Sequence, residues 1–190
     1  MRRLVYHVAS TIDGFIAGPE GQYDFLPFEA DLGAYTVATW PETLPTAYRV
    51  AAGIDEVPNA RYDAVLMGRG TYEPALKAGI TSPYAHLEQY VFSRTLAPET
   101  DPTVRFVTGP PVEFVRGLKR QEGRDIWLCG GGQLAAELQS EIDELTIKLN
   151  PVVAGTGIPL FSRGFDPRRF ALVETRPFDS GVVLLSYRPT

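Results

Sequence analysis

Short blocks of apolar residues alternate with amphipathic segments along most of the chain, and this pattern predicts strands and helices in turn. Apolar runs rich in β-branched residues favour strands, whereas apolar positions three or four residues apart favour helices. The predicted strands are 4–9, 64–67, 90–92, 104–107, 126–128, 145–153, 170–175 and 182–187. The predicted helices are 28–39, 46–52, 69–78, 110–119 and 133–138.

The order of these elements predicts the fold class. Strands and helices alternate up to residue 138, which is typical of a mostly parallel central sheet with helices on both faces. The last two strands, joined across Asp179-Ser180-Gly181, predict an antiparallel C-terminal edge. We therefore expect a three-layer α/β fold, and because no linker or repeat divides the chain, residues 1–190 are expected to form one domain. The proline-rich segment 41–58 is interpreted as a loop over the active face.

A strand that ends in three glycines is the most informative local pattern. Ile126, Trp127, Leu128 and Cys129 form the apolar run, Gly130, Gly131 and Gly132 follow, and Gln133 and Leu134 begin the next helix. A ligand can approach a backbone without Cβ atoms closely, and a helix N-terminus attracts phosphate. The alternative is that the glycines only let the helix pack closely on the strand.

Two other strand ends carry groups that suit phosphate oxygens. The strand 64–67 leads into Gly68, Arg69 and Thr71, and the strand 90–92 leads into Ser93, Arg94 and Thr95. Arginine offers a fixed cation with several donors, although Arg69 has the alternative of lying at the surface and Thr71 of capping its helix. Because ligands bind at the carboxyl ends of parallel strands, the three strand ends together predict a site for a dinucleotide.

Five segments in order along the chain carry a resemblance to a known family. They are 8–17 (VASTIDGFIA), 65–73 (VLMGRGTYE), 91–95 (VFSRT), 125–132 (DIWLCGGG) and 150–161 (NPVVAGTGIPLF). The chain resembles the dihydrofolate reductase-like superfamily, and within it the C-terminal reductase domain of bacterial riboflavin biosynthesis and its stand-alone relatives. The resemblance implies an NADPH-dependent reductase acting on a pteridine- or aminopyrimidine-like ring. Two alternatives stay open: a reductase of the same superfamily that acts on a different small molecule, and a non-catalytic protein that binds or senses NADPH.

The resemblance also implies site residues and an assembly. It places Ala9, Ile16, the strand-end groups 68, 69, 71 and 93–95, and residues 129–134 in the NADPH site. It implies a cis peptide bond between Gly130 and Gly131, and a homodimer. Folate is not assigned as the substrate, because the substrate-site pattern departs from that of dihydrofolate reductase. The absence of a deaminase domain argues against the complete bifunctional riboflavin enzyme.

A reductase of this kind needs a proton donor near the substrate ring. Three carboxylates are the catalytic candidates: Asp13, Asp24 and Asp31. Asp13 resembles the aspartate of the family's opening motif, and its alternative role is an Asx turn before Gly14. Asp31 resembles the substrate-binding carboxylate of dihydrofolate reductase, although its spacing to the Met-Gly-Arg motif is longer. His7 is interpreted as a packed strand residue.

Composition and charge narrow the class of protein. The net charge of −5 gives no reason to expect nucleic acid as a partner, so an anionic cofactor needs local cations such as Arg69 and Arg94. The lone Cys129 excludes an internal disulfide and is predicted to be an inert, buried thiol. No metal-ligand spacing occurs, and no apolar run approaches the ~20 residues of a membrane span, so we expect no metal, no membrane and a cytoplasmic location.

The C-terminal strand bears on assembly. Val182, Val183, Leu184 and Leu185 are consecutive, which indicates a strand with two apolar faces. Either a helix of the same chain or a partner subunit must cover the second face. Apolar residues in 151–153 and 158–161 are expected to extend this patch, and a twofold contact between two copies is the commonest solution.

Overall fold

The computed structural model describes residues 1–95, 101–162 and 164–190. Its strands are β1 (Leu4–Thr11), β2 (Phe15–Ala17), β3 (Tyr62–Gly68), β4 (Glu88–Phe92), β5 (Val104–Val107), β6 (Asp125–Gly130), β7 (Glu144–Asn150), β8 (Ile158–Pro159), β9 (Phe170–Pro177) and β10 (Val183–Pro189). Its α-helices are α1 (Ala30–Thr39), α2 (Thr46–Ala51), α3 (Arg69–Lys77), α4 (Pro111–Lys119) and α5 (Gly132–Glu137). Single 3-10 turns follow α1 and α5, at Pro41–Thr43 and Gln139–Glu141.

Eight strands form one sheet in the order β5-β4-β3-β6-β1-β7-β10-β9. The strands from β5 to β7 in this order are parallel, whereas β10 is antiparallel to both β7 and β9. The predicted fold class, a mostly parallel sheet with an antiparallel C-terminal edge, is confirmed. The short β2 and β8, which the apolar pattern did not predict, form a separate antiparallel pair.

The period of two along β1 divides the core between the faces of the sheet. Leu4, Tyr6 and Val8 pack in one apolar cluster that contains residues of α4 and α5. Val5 lies in a second cluster on the opposite face, which contains Trp40 at the end of α1. Since the sheet is covered on both faces, its strands carry near-continuous apolar runs rather than a clean alternation.

The segment 41–58 differs from the expected loop over the active face. It contains the turn Pro41–Thr43 and helix α2. The buried carboxylate of Glu42 accepts hydrogen bonds from the backbone N–H groups of 60, 61 and 62, at 3.1, 2.6 and 2.7 Å. These residues lead into β3, so the segment is fastened to the amino end of the sheet, opposite to the strand ends that carry the glycines.

The apolar C-terminal strand is covered largely within the chain. Val182 and Leu184 are fully buried, while Val183 and Leu185 are half-buried. Of the two alternatives that the sequence left open, cover from the same chain accounts for Val182 and Leu184, while Val183 and Leu185 are only partly covered and a partner subunit on their face stays a prediction. The exposed apolar residues of this region lie on the edge strand β9 instead, at Leu172 and Val173, which are 55% and 50% exposed.

Candidate active site

The carboxyl ends of three neighbouring parallel strands, β4, β3 and β6, lie side by side. This arrangement brings together the glycine turns that follow β3 and β6. A methyl group on Gly68 would lie 3.4 Å from the backbone nitrogen of Gly131 and 3.6 Å from the carbonyl oxygen of Gly130. The two turns, far apart in the sequence, are thus in contact and form a surface of backbone atoms.

Glycine is needed for different structural reasons at the three consecutive positions 130, 131 and 132. A methyl group on Gly132 would overlap the carbonyl oxygen of Pro159, so close packing against β8 explains this glycine. The peptide bond between Gly130 and Gly131 is cis, as the resemblance implied, and Gly130 has a φ of +150°, which favours glycine. Gly131 has a φ of −95°, and its methyl group would make only ordinary contacts, 3.5 Å from Thr71 and 3.9 Å from Ile16. Packing within the chain therefore accounts for Gly132 but not for Gly131.

Polar side chains surround the turn after β3. Arg69 is exposed at the start of α3, where its Nη1 donates to Thr95 Oγ1 at 2.9 Å and its Nε donates to Glu73. The backbone N–H of Thr95 donates to Ser93 Oγ at 3.2 Å within the turn after β4, and the Arg69–Thr95 bond connects this turn to the end of β3. Thr71 lies in the first turn of α3, which has no side-chain cap at its N-cap residue Gly68. The Thr71 hydroxyl lies at the glycine turn, 3.2 and 3.5 Å from the positions that methyl groups on Gly130 and Gly131 would take.

The other cofactor candidates occupy a range of environments. Ala9 is half-buried near the end of β1, and Ile16 lies on β2 beside Gly131. Leu134 is buried in the core, whereas Gln133 and Arg94 are exposed. Leu134 therefore contributes to packing, while Ala9, Ile16 and Gln133 lie around the turn after β6.

An aromatic cluster covers the sheet face below α1. The ring of His7 packs edge-on against Trp40, with centroids 4.6 Å apart, and Trp127 and Tyr84 meet edge-on at 5.0 Å. His7 Nδ1 lies 3.3 Å from the Tyr62 hydroxyl, while its Nε2 is buried and has no partner among the described residues. Burial lowers the pKa of His7 well below its usual value, so the ring is neutral. The expectation that His7 is a packed strand residue agrees with this environment.

Cys129 and Lys148 continue this face towards the carboxyl end of the sheet. The half-buried Cys129 thiol shares a hydrogen bond with the Tyr84 hydroxyl, and burial raises the pKa of this thiol to about 12. The thiol is therefore protonated, in agreement with an inert cysteine. Burial also lowers the pKa of the half-buried Lys148. The positive charge of Lys148 acts on both Cys129 and His7, which shows that the three side chains lie near one another.

Asp13 forms a bridge between two loops. It accepts hydrogen bonds from the Thr11 hydroxyl at 2.6 Å and from the backbone N–H groups of Ala154 and Gly155 at 3.0 and 2.7 Å. The Thr11 bond and the backbone donors lower the pKa of Asp13 to about 2. The carboxylate therefore shapes the turn after β1, and its ionised state does not suit a proton donor.

The carboxylate of Asp31 also accepts hydrogen bonds from the backbone. Its Oδ2 accepts from the backbone N–H of Ser180 at 3.1 Å, and its Oδ1 accepts from that of Leu32 at 2.7 Å. These bonds, with Ser180 contributing most, lower the pKa of Asp31. The carboxylate thus connects α1 to the turn between β9 and β10. Asp24 is exposed, and its side chain has no hydrogen-bond partner among the described residues.

Sequence reasoning missed the cluster of Lys148, Tyr84, Trp40 and Trp127 on this face. One local signal was present: Lys148 is the only cationic residue among the polar positions Glu144, Thr146, Lys148 and Asn150, which alternate with apolar residues along β7. The aromatic residues come from distant parts of the chain, and no spacing pattern connects them. In the described part of the chain, no helix combines the length and apolar character that crossing a membrane requires.

Comparisons with known proteins agree with this geometry. The uncharacterized protein YwjB of Bacillus subtilis is 31% identical over 186 residues, covering 96% of both chains. The crystal structure of a putative riboflavin biosynthesis protein from Shewanella sp. PV-4 has a TM-score of 0.74 at 22% identity, covering 100% of this chain and 99% of that one.

Dihydrofolate reductase from Enterococcus faecalis, solved in complex with NADP(H) and RAB-propyl, has a TM-score of 0.66 at 17% identity, and the match covers 99% of this chain and 96% of that one. The fold is therefore dihydrofolate reductase-like. The RibD C-terminal domain family matches residues 2–184, nearly the whole sequence. The chain belongs to the RibD C-terminal domain family.

Proposed function

We propose that the protein is an NADPH-dependent reductase that transfers hydride to a small pteridine- or aminopyrimidine-like ring. The observation that carries the proposal is the meeting of the turns after β3 and β6 beside the aromatic face below α1. Family membership and the dihydrofolate reductase-like fold support a reductase. Residues 1–190 are proposed to act as one domain, in the cytoplasm.

The residues present fit a dinucleotide. Gly131 has no packing requirement within the chain, so its missing side chain leaves room for a ligand against the backbone. The Thr71 hydroxyl and the exposed guanidinium of Arg69 lie at the same turn. The residues proposed to hold NADPH are Ala9, Ile16, Gly68, Arg69, Thr71, Ser93, Arg94, Thr95, Cys129, Gly130, Gly131, Gly132, Gln133 and Leu134. When bound, NADPH supplies the hydride.

The protein itself must bind the cofactor and the substrate, orient them and exclude water. His7, Trp40 and Trp127 are buried and pack edge to face, so they support this face of the sheet from within the core. Asp13, Asp24 and Asp31 were the candidates for proton transfer. Because Asp13 and Asp31 hold backbone N–H groups as ionised carboxylates, Asp24 is the one that we propose to test as a proton donor.

A cofactor titration tests the binding half of the proposal. NADPH should bind more tightly than NADH, because Arg69 and Arg94 offer cations for the 2′-phosphate, and one charge-assisted hydrogen bond corresponds to about tenfold or more in affinity. Arg69→Gln should reduce this preference. Lys77→Gln, which removes an exposed cation at the other end of α3, is the matched control and should leave it unchanged. Equal affinities for the two cofactors in the unmodified protein would remove this role from the arginines.

A turnover screen tests the catalytic half. NADPH oxidation is followed in the presence of dihydrofolate, dihydropterins and aminouracil compounds. Oxidation that depends on one of these rings supports the reductase. Tight NADPH binding without oxidation for any of them would favour the non-catalytic NADPH-binding alternative.

We also propose a homodimer, formed through the edge strand β9. The side chains of Leu172 and Val173 are half exposed on this strand, and an edge strand presents unpaired backbone groups. Light scattering at micromolar concentration should give about twice the 20.9 kDa chain mass. The double variant Leu172→Lys/Val173→Lys should shift the mass to that of one chain. A monomer in the unmodified protein would contradict this assembly.

A further inference from the structure

Arg69 stands at a position in α3 where a cation lowers helix stability. It is the first residue of the helix, and a helix N-terminus carries the positive end of the helix dipole. The first turn of α3 contains no acidic residue, and its N-cap residue Gly68 offers no side-chain cap. The first turn of α3 therefore does not neutralise the positive charge that gathers at its start.

The carboxylate of Glu73 lies one helical turn after Arg69 and accepts a hydrogen bond from Arg69 Nε. A helical pair in which the cation precedes the anion by four residues has the less favourable of the two orientations. The side chains of Arg69 and Glu73 are 54% and 32% exposed, and exposed ion pairs contribute little to stability. Stability of the helix therefore does not explain why a carboxylate is placed against Arg69.

The guanidinium of Arg69 has five N–H donors, of which the chain uses two. Nε donates to Glu73, and Nη1 donates to Thr95 Oγ1 at 2.9 Å in the turn after β4. The other three N–H groups have no hydrogen-bond partner within residues 1–95, 101–162 and 164–190. An anion that binds these three donors would share one guanidinium with the Glu73 carboxylate, and two negative charges so close together repel each other.

We propose that Glu73 is a specificity-determining residue that competes with the 2′-phosphate of NADPH for Arg69. This inference rests on the proposed function, which places NADPH at this turn. In the unliganded protein the carboxylate takes the place of a phosphate group beside the guanidinium. NADH carries a 2′-hydroxyl where NADPH carries the phosphate, so the charge of Glu73 disfavours NADPH more than NADH. Glu73 thus limits the preference for NADPH that the arginines provide.

Isothermal titration with three ligands tests the inference: NADPH, NADH and adenosine 2′,5′-bisphosphate, which carries the 2′-phosphate without the nicotinamide. Glu73→Gln keeps an oxygen for Arg69 Nε but removes the charge. NADPH and the bisphosphate should bind this variant about three- to tenfold more tightly than the unmodified protein, while NADH affinity should change by less than about twofold. Because salt screens charges at the surface, the gain should be smaller at about 0.5 M NaCl than at about 0.05 M.

Two further variants separate competition from other effects of Glu73. Glu73→Ala removes the hydrogen bond to Nε together with the charge, and it should also strengthen bisphosphate binding. Weaker binding in Glu73→Ala would show that Glu73 positions Arg69, which overturns the inference. In an Arg69→Gln background, Glu73→Gln should change NADPH affinity by less than about twofold, because the cation for which the two anions compete is absent. A full gain in that background would indicate a general effect of surface charge and would also overturn the inference.

The matched control is Glu113→Gln, the same substitution at an exposed residue in the first turn of α4. It should bind all three ligands like the unmodified protein. The melting temperature of each variant is measured, and Glu73→Gln should stay close to the unmodified protein because its ion pair is exposed. Unchanged or weaker NADPH binding in Glu73→Gln, or an equal gain for NADH, would overturn the inference while NADPH binding by the unmodified protein stands. Absence of NADPH binding in the unmodified protein would instead overturn the proposed function.

Discussion

The two ends of the parallel sheet differ in how far their charged groups are paired within the chain. At the amino end, charged groups are paired within the chain: Arg2 with Asp63, Arg3 and Arg61 with Asp125, and Arg61 and Arg188 with Glu144. At the carboxyl end, a methyl group on Gly131 would make only ordinary contacts, and the Lys148 ammonium has no hydrogen-bond or ion-pair partner among the described residues. We expect the paired groups at the amino end to stabilise the fold, and the groups without partners at the carboxyl end to bind a ligand. Substitutions at the amino end should therefore change stability, and those at the carboxyl end should change binding.

The largest effect is expected at Glu42, which is 0% exposed. Glu42→Ala leaves three backbone donors before and in β3 without an acceptor and should lower the free energy of unfolding by about 3–5 kcal/mol. Glu42→Gln keeps one side-chain oxygen and should cost less. Urea denaturation measures both variants. A loss below about 1 kcal/mol for Glu42→Ala would show that water replaces the carboxylate at the amino end.

A smaller loss is expected at Glu144, a buried carboxylate that accepts hydrogen bonds from Arg61 at 2.7 Å and Arg188 at 3.3 Å. Glu144→Gln removes the charge from these bonds and should lower the free energy of unfolding by about 1.5–3 kcal/mol. Arg116→Gln breaks an exposed ion pair with Glu141 and is the control, with an expected change of about 0–1 kcal/mol. Similar losses of stability in the two variants would mean that the buried ion pairs of Glu144 stabilise the fold no more than an exposed pair does.

Gly131→Ala tests the other end of the sheet. The methyl group has room in the unliganded protein, so stability should change by less than about 1 kcal/mol, while NADPH affinity should fall by about tenfold or more because the group would meet the cofactor. Gly117→Ala, in the middle of α4 with open space around it, is the control and should leave NADPH affinity unchanged. Unchanged affinity in Gly131→Ala would mean that the glycine turn serves only packing.

The smallest effect is expected at Asp13, which is exposed but holds the loop after β7 at the carboxyl end. Its pKa in the folded protein is about 2, below the ordinary value of 3.8, so its contribution to stability is present above that ordinary value and is lost as the pH falls towards 2. Asp13→Asn should therefore be less stable than the unmodified protein at neutral pH. Melting temperatures measured between about pH 2 and 7 should converge at the acid end. Curves that stay parallel would exclude this role for Asp13.

The local patterns predicted most of the secondary structure. Predicted strands 4–9 and 64–67 correspond to β1 and β3, and the predicted helices 69–78 and 110–119 correspond to α3 and α4 within one or two residues at each end. Strand alternation and helix periodicity depend on residues close together in the sequence, so these elements could be predicted without knowledge of the tertiary structure. β2 and β8 escaped prediction because runs of three and two residues carry no period and form only through pairing with each other.

The candidate site divides in the same way. The glycines after β3 and β6 were visible in the sequence because a strand-glycine-helix transition is a local feature. Only the tertiary structure shows which of these glycines is required for packing. Pro159 of β8 lies against Gly132 but not against Gly131. The role of the aspartates was not visible in the sequence. Asp13 and Asp31 were candidates for proton transfer, but in the fold they accept hydrogen bonds from backbone N–H groups that are distant in the sequence.

The sequence by itself determined the strand, turn and helix units and the identity of the groups that end them, because these depend on the conformational preferences of adjacent residues. Only the tertiary structure decided the strand order, which places β6 between β3 and β1, and β7 beyond β1. That order sets Lys148 beside Ala9, where its ammonium has no counter-charge in the described part of the chain. Pairing of distant strands and the desolvation of a charge depend on the whole packed chain, so no local pattern specifies them.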